Sequence, residues 1–146
     1  MNTIENPIYI LFDIGANWGH DSLLQTKNDH NIVTYAFEPT PELAQYLTDA
    51  SRDFSSRYNV IPLAVSDYNG SAAFNVAGHH DWGCSSLNIF EDNLDKTWPG
   101  REDFYVTNQI TVCVTRLDTW IETHLPNISC INYFHCDAQG SDLKVL

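Results

Sequence analysis

The chain has 146 residues, 43% of them hydrophobic and 18% charged, which fits one globular domain with a buried core and excludes a disordered chain. Seven Lys and Arg against 19 Asp and Glu give a formal charge of −12, which repels phosphate backbones and anionic lipid and argues against a nucleic-acid or membrane-surface partner. No apolar run approaches the roughly 18 residues of a membrane span, and residues 1–7 (MNTIENP) lack the basic and apolar regions of a secretory leader.

Residues 8–14 (IYILFDI) form an apolar run ending in an acid, as in a strand buried on both faces of a parallel sheet. A tight turn, Gly15 to Gly19, follows, and a helix is expected over 18–27. Residues 32–37 (IVTYAF) are a second β-rich run, again ending in an acid, Glu38. Thr40, Pro41 and Glu42 then read as the cap and first turn of a helix whose apolar stripe is Leu43, Leu47 and Ala50. Residues 60–65 are expected as a third strand. Asp67-Tyr68-Asn69-Gly70 should be a hairpin turn into a returning strand over 71–77.

Residues 78–100 are rich in polar and turn residues, and a loop of that length in a compact domain is often functional. Residues 109–115 alternate, with Ile110, Val112 and Val114 on one face. Residues 118–125 should form a helix capped by Asp118 and closed by Pro126. Residues 130–136 (CINYFHC) are the last strand, ending in Asp137. Gly140 turns the chain into a helix begun at 141–146. Alternating strands and helices argue an α/β domain, 1–146, with a mainly parallel sheet.

The first chemical constellation is Asp13-Ile14-Gly15-Ala16-Asn17-Trp18-Gly19. It puts an acid and a glycine turn at the carboxyl end of a strand, where open parallel sheets bind ligands. The bland alternative is a plain connection between strand and helix. Glu38 lies 23 residues beyond Gly15, outside the expected core and placed to accept hydrogen bonds from ribose hydroxyls. A pyrophosphate-binding turn wants G-x-G-x-x-G, but Asn17 replaces the second glycine and Asp13 adds negative charge. A cationic ligand without phosphate, such as S-adenosylmethionine, fits better.

FDIGANWGHDS, YAFEPTPE, NVIPLAVSDYNGSAAF, GCSSL, VTRLDTWIE and FHCDAQGSDLKVL occur in the order found in FkbM-type S-adenosylmethionine-dependent methyltransferases. The chain resembles that family from about residue 10 to 146. The resemblance implies a Rossmann-like class I methyltransferase fold with an inserted β-hairpin region. It implies O-methylation of a hydroxyl on a sugar or natural-product acceptor, with S-adenosyl-L-methionine as cofactor. By it, Asp13, Gly15, Asn17 and Gly19 surround the methionine part of the cofactor, and Glu38 is the ribose acid. Pro39 and Thr40 shape the pocket beside it, and Val65, Ser66 and Asp67 hold the adenine. Ser85 and Ser86 lie on a loop facing the active site. Asp137, with Gln139 and Gly140, stands beside the methyl acceptor, and the family more often carries Glu where Gln139 and Asp142 stand.

Methyl transfer benefits from a base that takes the acceptor hydroxyl's proton. Asp137 is the first candidate. His135 is the second, two residues earlier on the same strand face, though it also reads as a satisfied core histidine. His79-His80-Asp81 reads as a polar loop rather than a metal site, since adjacent histidines seldom share an ion; no metal is expected. Cys84, Cys113, Cys130 and Cys136 contain no C-x-x-C pair, which favours reduced thiols in a cytoplasmic protein over a disulfide framework. Within strands, Cys113, Cys130 and Cys136 are expected as small buried hydrophobes. Trp82 and Trp98 could stack on a sugar but read rather as core cover.

Two other classes fit parts of the pattern: a nicotinamide-dependent oxidoreductase and a non-catalytic fragment of a cofactor fold. Four main strands can be placed where the resembling fold has seven, in the order 3-2-1-4-5-7-6. The chain is therefore expected to be an incomplete, inactive domain whose last strand offers an open sheet edge for self-association.

Overall fold

The computed structural model describes residues 8–79, 82–91 and 93–146. Four parallel strands form the central sheet: β1 (Tyr9–Ile14), β2 (Ile32–Phe37), β3 (Tyr58–Ile61) and β7 (Tyr133–Cys136), in the order β3-β2-β1-β7. That order corresponds to 3-2-1-4, the first half of the expected fold. Helices α1 (Leu23–Asn28) and α2 (Pro41–Ala50) connect β1 to β2 and β2 to β3. A second sheet, in the order β4-β6-β5, joins β4 (Ala64–Val65), β6 (Val106–Thr115) and β5 (Gly70–Ala77). Short helices α3 (Leu94–Thr97), α4 (Leu117–His124) and α5 (Asp142–Val145) complete the chain.

Strand periodicity of two sorts the core into layers. Phe12 and Ile14 of β1 and Phe37 of β2 face α4, where Trp120 packs edge-on against Phe12, Tyr35 and Phe37 at centroid distances of 6.1, 5.6 and 5.0 Å. On the opposite face Ala36 meets Leu47 of α2 and Tyr58 of β3. The second sheet has its own small core of Ala64, Phe74, Val76, Val112 and Val114.

Several expectations are corrected. Helix α1 starts at Leu23, not near residue 18, because Asn17 and Gly19 hold φ of 50° and 72°, outside the helical region. Residues 60–65 split at Pro62 between two sheets, so β3 and β4 are separate strands. Asn69-Gly70 makes no hairpin between β4 and β5. Strand β6 lies between them, parallel to β4 and antiparallel to β5. Asn69 instead accepts the backbone N–H of Arg116 at 2.9 Å. The inserted antiparallel pair is therefore β5–β6, closed by the long 78–105 segment.

Helix α4 begins at Leu117, with Asp118 inside its first turn rather than at the cap. In α2, Ala44 rather than Ala50 joins Leu43 and Leu47 in the core, and Thr40 makes no side-chain capping bond. Strand β7 covers only Tyr133–Cys136; ahead of it the Asn132 side chain accepts the Ile10 N–H at 2.8 Å. Cys113 and Cys130 are exposed rather than buried, and Trp98 is 53% exposed rather than core cover.

Candidate functional site

The carboxyl ends of β1, β2 and β7 converge on a cavity of about 490 Å³, counted to its open mouth. Gly15, Asn17, Glu38, Pro39, Thr40, Val65, Ser85, Asp137 and Gln139 all line it. Ala64, Phe74, Gly83, Leu87, Ala138 and Ser141 complete its walls. Phe74 and Leu87 end two of the quoted motifs, yet neither was singled out as a site residue; the tertiary structure brings them to the cavity.

Glu38 is the hub. Its Oε2 accepts the Asn17 N–H at 2.9 Å and its Oε1 accepts the Thr40 N–H at 2.7 Å, so one carboxylate ties the turn after β1 to the turn after β2. The residue is only 4% exposed. Its expected position outside the core is corrected, because two backbone amides that would otherwise be orphaned need an acceptor there. Burial raises its carboxyl above the ordinary range, against smaller lowering by Thr40 and Asn17, while the charge of Asp13 raises it further. Beside it, Asn17 Oδ1 is buried without a hydrogen-bond partner. The Thr40 hydroxyl is buried near the carboxylate but also lacks a hydrogen bond of good geometry. Two residues of the cavity lining thus hold polar atoms with unused capacity.

Asp13 is fully buried and lies behind the cavity, not on it. The parallel register sets Asp13 opposite His135, and Asp13 Oδ1 pairs with His135 Nδ1 at 2.9 Å. On the other side of the ring, Nε2 lies 3.6 Å from Asp21 Oδ2. His135 therefore stands between two acids and does not line the cavity. Burial lowers its pKa, but the hydrogen bond and charge of Asp13, with Asp21 and Asp137, outweigh that and leave it raised. A raised histidine stabilises the fold fully below about pH 6.5 and loses that contribution as pH rises through its folded value. Thermal melting of the parent chain should fall across that window. His135→Asn should flatten the fall, and an unchanged pH slope in the variant would contradict the assignment.

Asp137 sits at the cavity mouth. Its Oδ1 accepts the Gln139 side-chain amide at 2.7 Å. Partial burial, then the charge of Asp142, raises its carboxyl above the usual range. Cys136 is half-buried; burial and Asp142 push its thiol up to about 11. It is a poor nucleophile at neutral pH.

Gly19 packs against Leu23 and Leu47 rather than on the cavity. Ser66 and Asp67 line a separate hollow with Arg116 and Asp118, although Val65 beside them reaches the main one. Ser86 is buried behind the wall that Ser85 forms. His79 is exposed, while His80, Asp81 and the Trp82 side chain lie outside the described residues.

Compared with known proteins, residues 13–146 match the family model described as Methyltransferase FkbM domain. No curated protein and no solved structure matches the chain.

Proposed function

The chain belongs to the FkbM methyltransferase family, and from that premise we propose that it uses S-adenosyl-L-methionine to methylate a hydroxyl of a sugar or related natural product. The observation that carries the cofactor reading is the Glu38 bridge, with the unpartnered Asn17 Oδ1 beside it on the same cavity. The Glu38 carboxylate retains lone pairs for ribose hydroxyls after accepting two amides. Its charge suits a cationic ligand, and Val65, Phe74 and Leu87 offer apolar surface for a flat base. Ser66 and Asp67 are assigned no part in holding that base. The cofactor supplies a methyl carbon made electrophilic by its sulfonium. Asp137 takes the proton of the acceptor hydroxyl, and the cavity walls align the acceptor and exclude water.

Calorimetric titration with S-adenosylhomocysteine tests the cofactor. No heat of binding at millimolar ligand with folded chain would overturn the reading. A nicotinamide-dependent oxidoreductase is disfavoured because Asn17 occupies the position of the middle glycine. The Asn17 φ of 50° keeps a left-handed turn there, but the turn lacks the bare middle glycine that lets backbone approach a pyrophosphate closely. Fluorescence enhancement of NADH on mixing would reverse that preference.

Glu38→Ala should act on fold and ligand together. Each amide left unpaired costs about 1–3 kcal/mol, and losing a charged acceptor to ribose costs about 1.5–3 kcal/mol of affinity, roughly 10- to 150-fold. Denaturant unfolding and calorimetry together check it. Full stability with lost binding would mean that the two amides find water.

A further inference from the structure

Besides β4 and β5, a segment bridged to the second sheet reaches the site. Ser86 forms an antiparallel bridge with Asn75, their backbones exchanging hydrogen bonds of 2.9 and 3.0 Å. Around that bridge successive side chains point to opposite sides. Ser85 and Leu87 face the cavity. Ser86 and Asn88 face the loop after β7 instead.

The Ser86 hydroxyl is buried and donates to the Gln139 carbonyl at 2.8 Å. It also accepts the Asn88 N–H at 2.9 Å. The Asn88 side-chain amide donates to Ser141 Oγ at 3.1 Å and to the same Gln139 carbonyl at 3.4 Å. Asn88 is held in turn: Asn75 Nδ2 donates to its carbonyl at 3.0 Å, and Gln109 Nε2 donates to Asn75 Oδ1 at 3.0 Å. The fit is close, since a Cβ on Gly140 would come within 3.1 Å of Asn88 Nδ2.

Gln139 needs such a hold. It is a non-glycine residue at φ 47°, a conformation that L side chains adopt only when their surroundings impose it. In that conformation its side-chain amide donates to Asp137 Oδ1 at 2.7 Å. We propose that Ser86 and Asn88 are positioning residues for Asp137: they grip the Gln139 carbonyl, keep Gln139 left-handed, and so place its amide on the Asp137 carboxylate. The proposal rests on the methyltransferase reading for what Asp137 does, but not for how it is held. The one extended segment then both walls the cavity and sets the base.

The test is the titration of the Asp137 carboxyl, followed by carbon NMR without ligand and assigned by its loss in Asp137→Asn. Ser86→Ala, Asn88→Ala and Gln139→Gly are compared with the parent, together with the double variant Ser86→Ala/Gln139→Gly. Gln139→Gly accepts the positive φ but removes the amide. Each single variant should raise the Asp137 midpoint, because a donor that favours the charged form is lost. In the double variant Ser86→Ala should add a smaller shift, since the part of its effect that runs through the Gln139 side-chain amide is gone and only the Gln139 backbone N–H still steadies the carboxylate. An unmoved midpoint in Ser86→Ala and Asn88→Ala overturns the proposal. So does a Ser86→Ala shift that persists undiminished in the Gln139→Gly background. Should Ser86→Ala fail to fold, Asn88→Ala, which alters a half-exposed side chain, decides the question in the same way. Calorimetry with S-adenosylhomocysteine on the parent reports separately on the cofactor reading.

Discussion

Gly15→Val is expected to unfold the chain or leave it barely stable at 25 °C. The position has φ +75°, and a Cβ there would stand 2.2 Å from the backbone oxygen of Asp137. A β-branched side chain in the left-handed region costs about 1–3 kcal/mol, and forcing atoms into packed backbone costs about 1–3 kcal/mol more. Together these approach the roughly 5–15 kcal/mol that holds a domain folded. Relief would require β7 to move away from β1, which breaks the pairing of Ile14 with Cys136 and the hydrogen bond that the Asp137 N–H donates to the Ile14 carbonyl. Circular dichroism melting checks it, with Gly15→Ala as an intermediate case. A valine variant melting within a degree or two of the parent would show that the strand ends separate freely. The sequence places this glycine turn at the carboxyl end of a strand, where open parallel sheets bind ligands. The structure places the nearest obstacle on the protein's own backbone, so loss of binding should follow loss of fold.

Asp137→Asn should lower the rate of methyl transfer about 100- to 10,000-fold at saturating cofactor, the range that a general base contributes. Cofactor affinity and melting temperature should change little, because an asparagine oxygen can still accept the Gln139 amide and the residue is largely exposed. The pH profile carries a second signature. Burial and Asp142 raise this carboxyl, so the basic form appears only above the ordinary aspartate range and activity should climb as pH rises through the shifted value. The same shift makes the carboxyl's contribution to stability fall over that window, since the folded state favours its protonated form. Normal turnover in Asp137→Asn would demote the residue to orienting the acceptor.

Element types were legible in the residues themselves, because periodicity is a local signal. The apolar run before Gly15, the β-rich run before Glu38 and the alternation of Ile110, Val112 and Val114 each appear as strands. The acids at strand ends were legible too, and Glu38 and Asp137 do meet on one cavity. What a strand pairs with is a matter of distant residues, and there local signals misled: Asn69-Gly70 resembles a hairpin turn, yet β6, some forty residues on, takes the place between β4 and β5. The same holds for polar side chains. Asp13 resembles a ligand acid until the register of β1 with β7 sets His135 opposite it, and Glu38 resembles a free carboxylate until two turns bring their amides to it. The amino-acid sequence determined the elements and which chemistry lies at their ends, since both follow from neighbours along the chain. Only the tertiary structure decided which of those groups face the cavity and which are spent on holding it, because a buried donor or acceptor takes whatever partner the packing brings within reach.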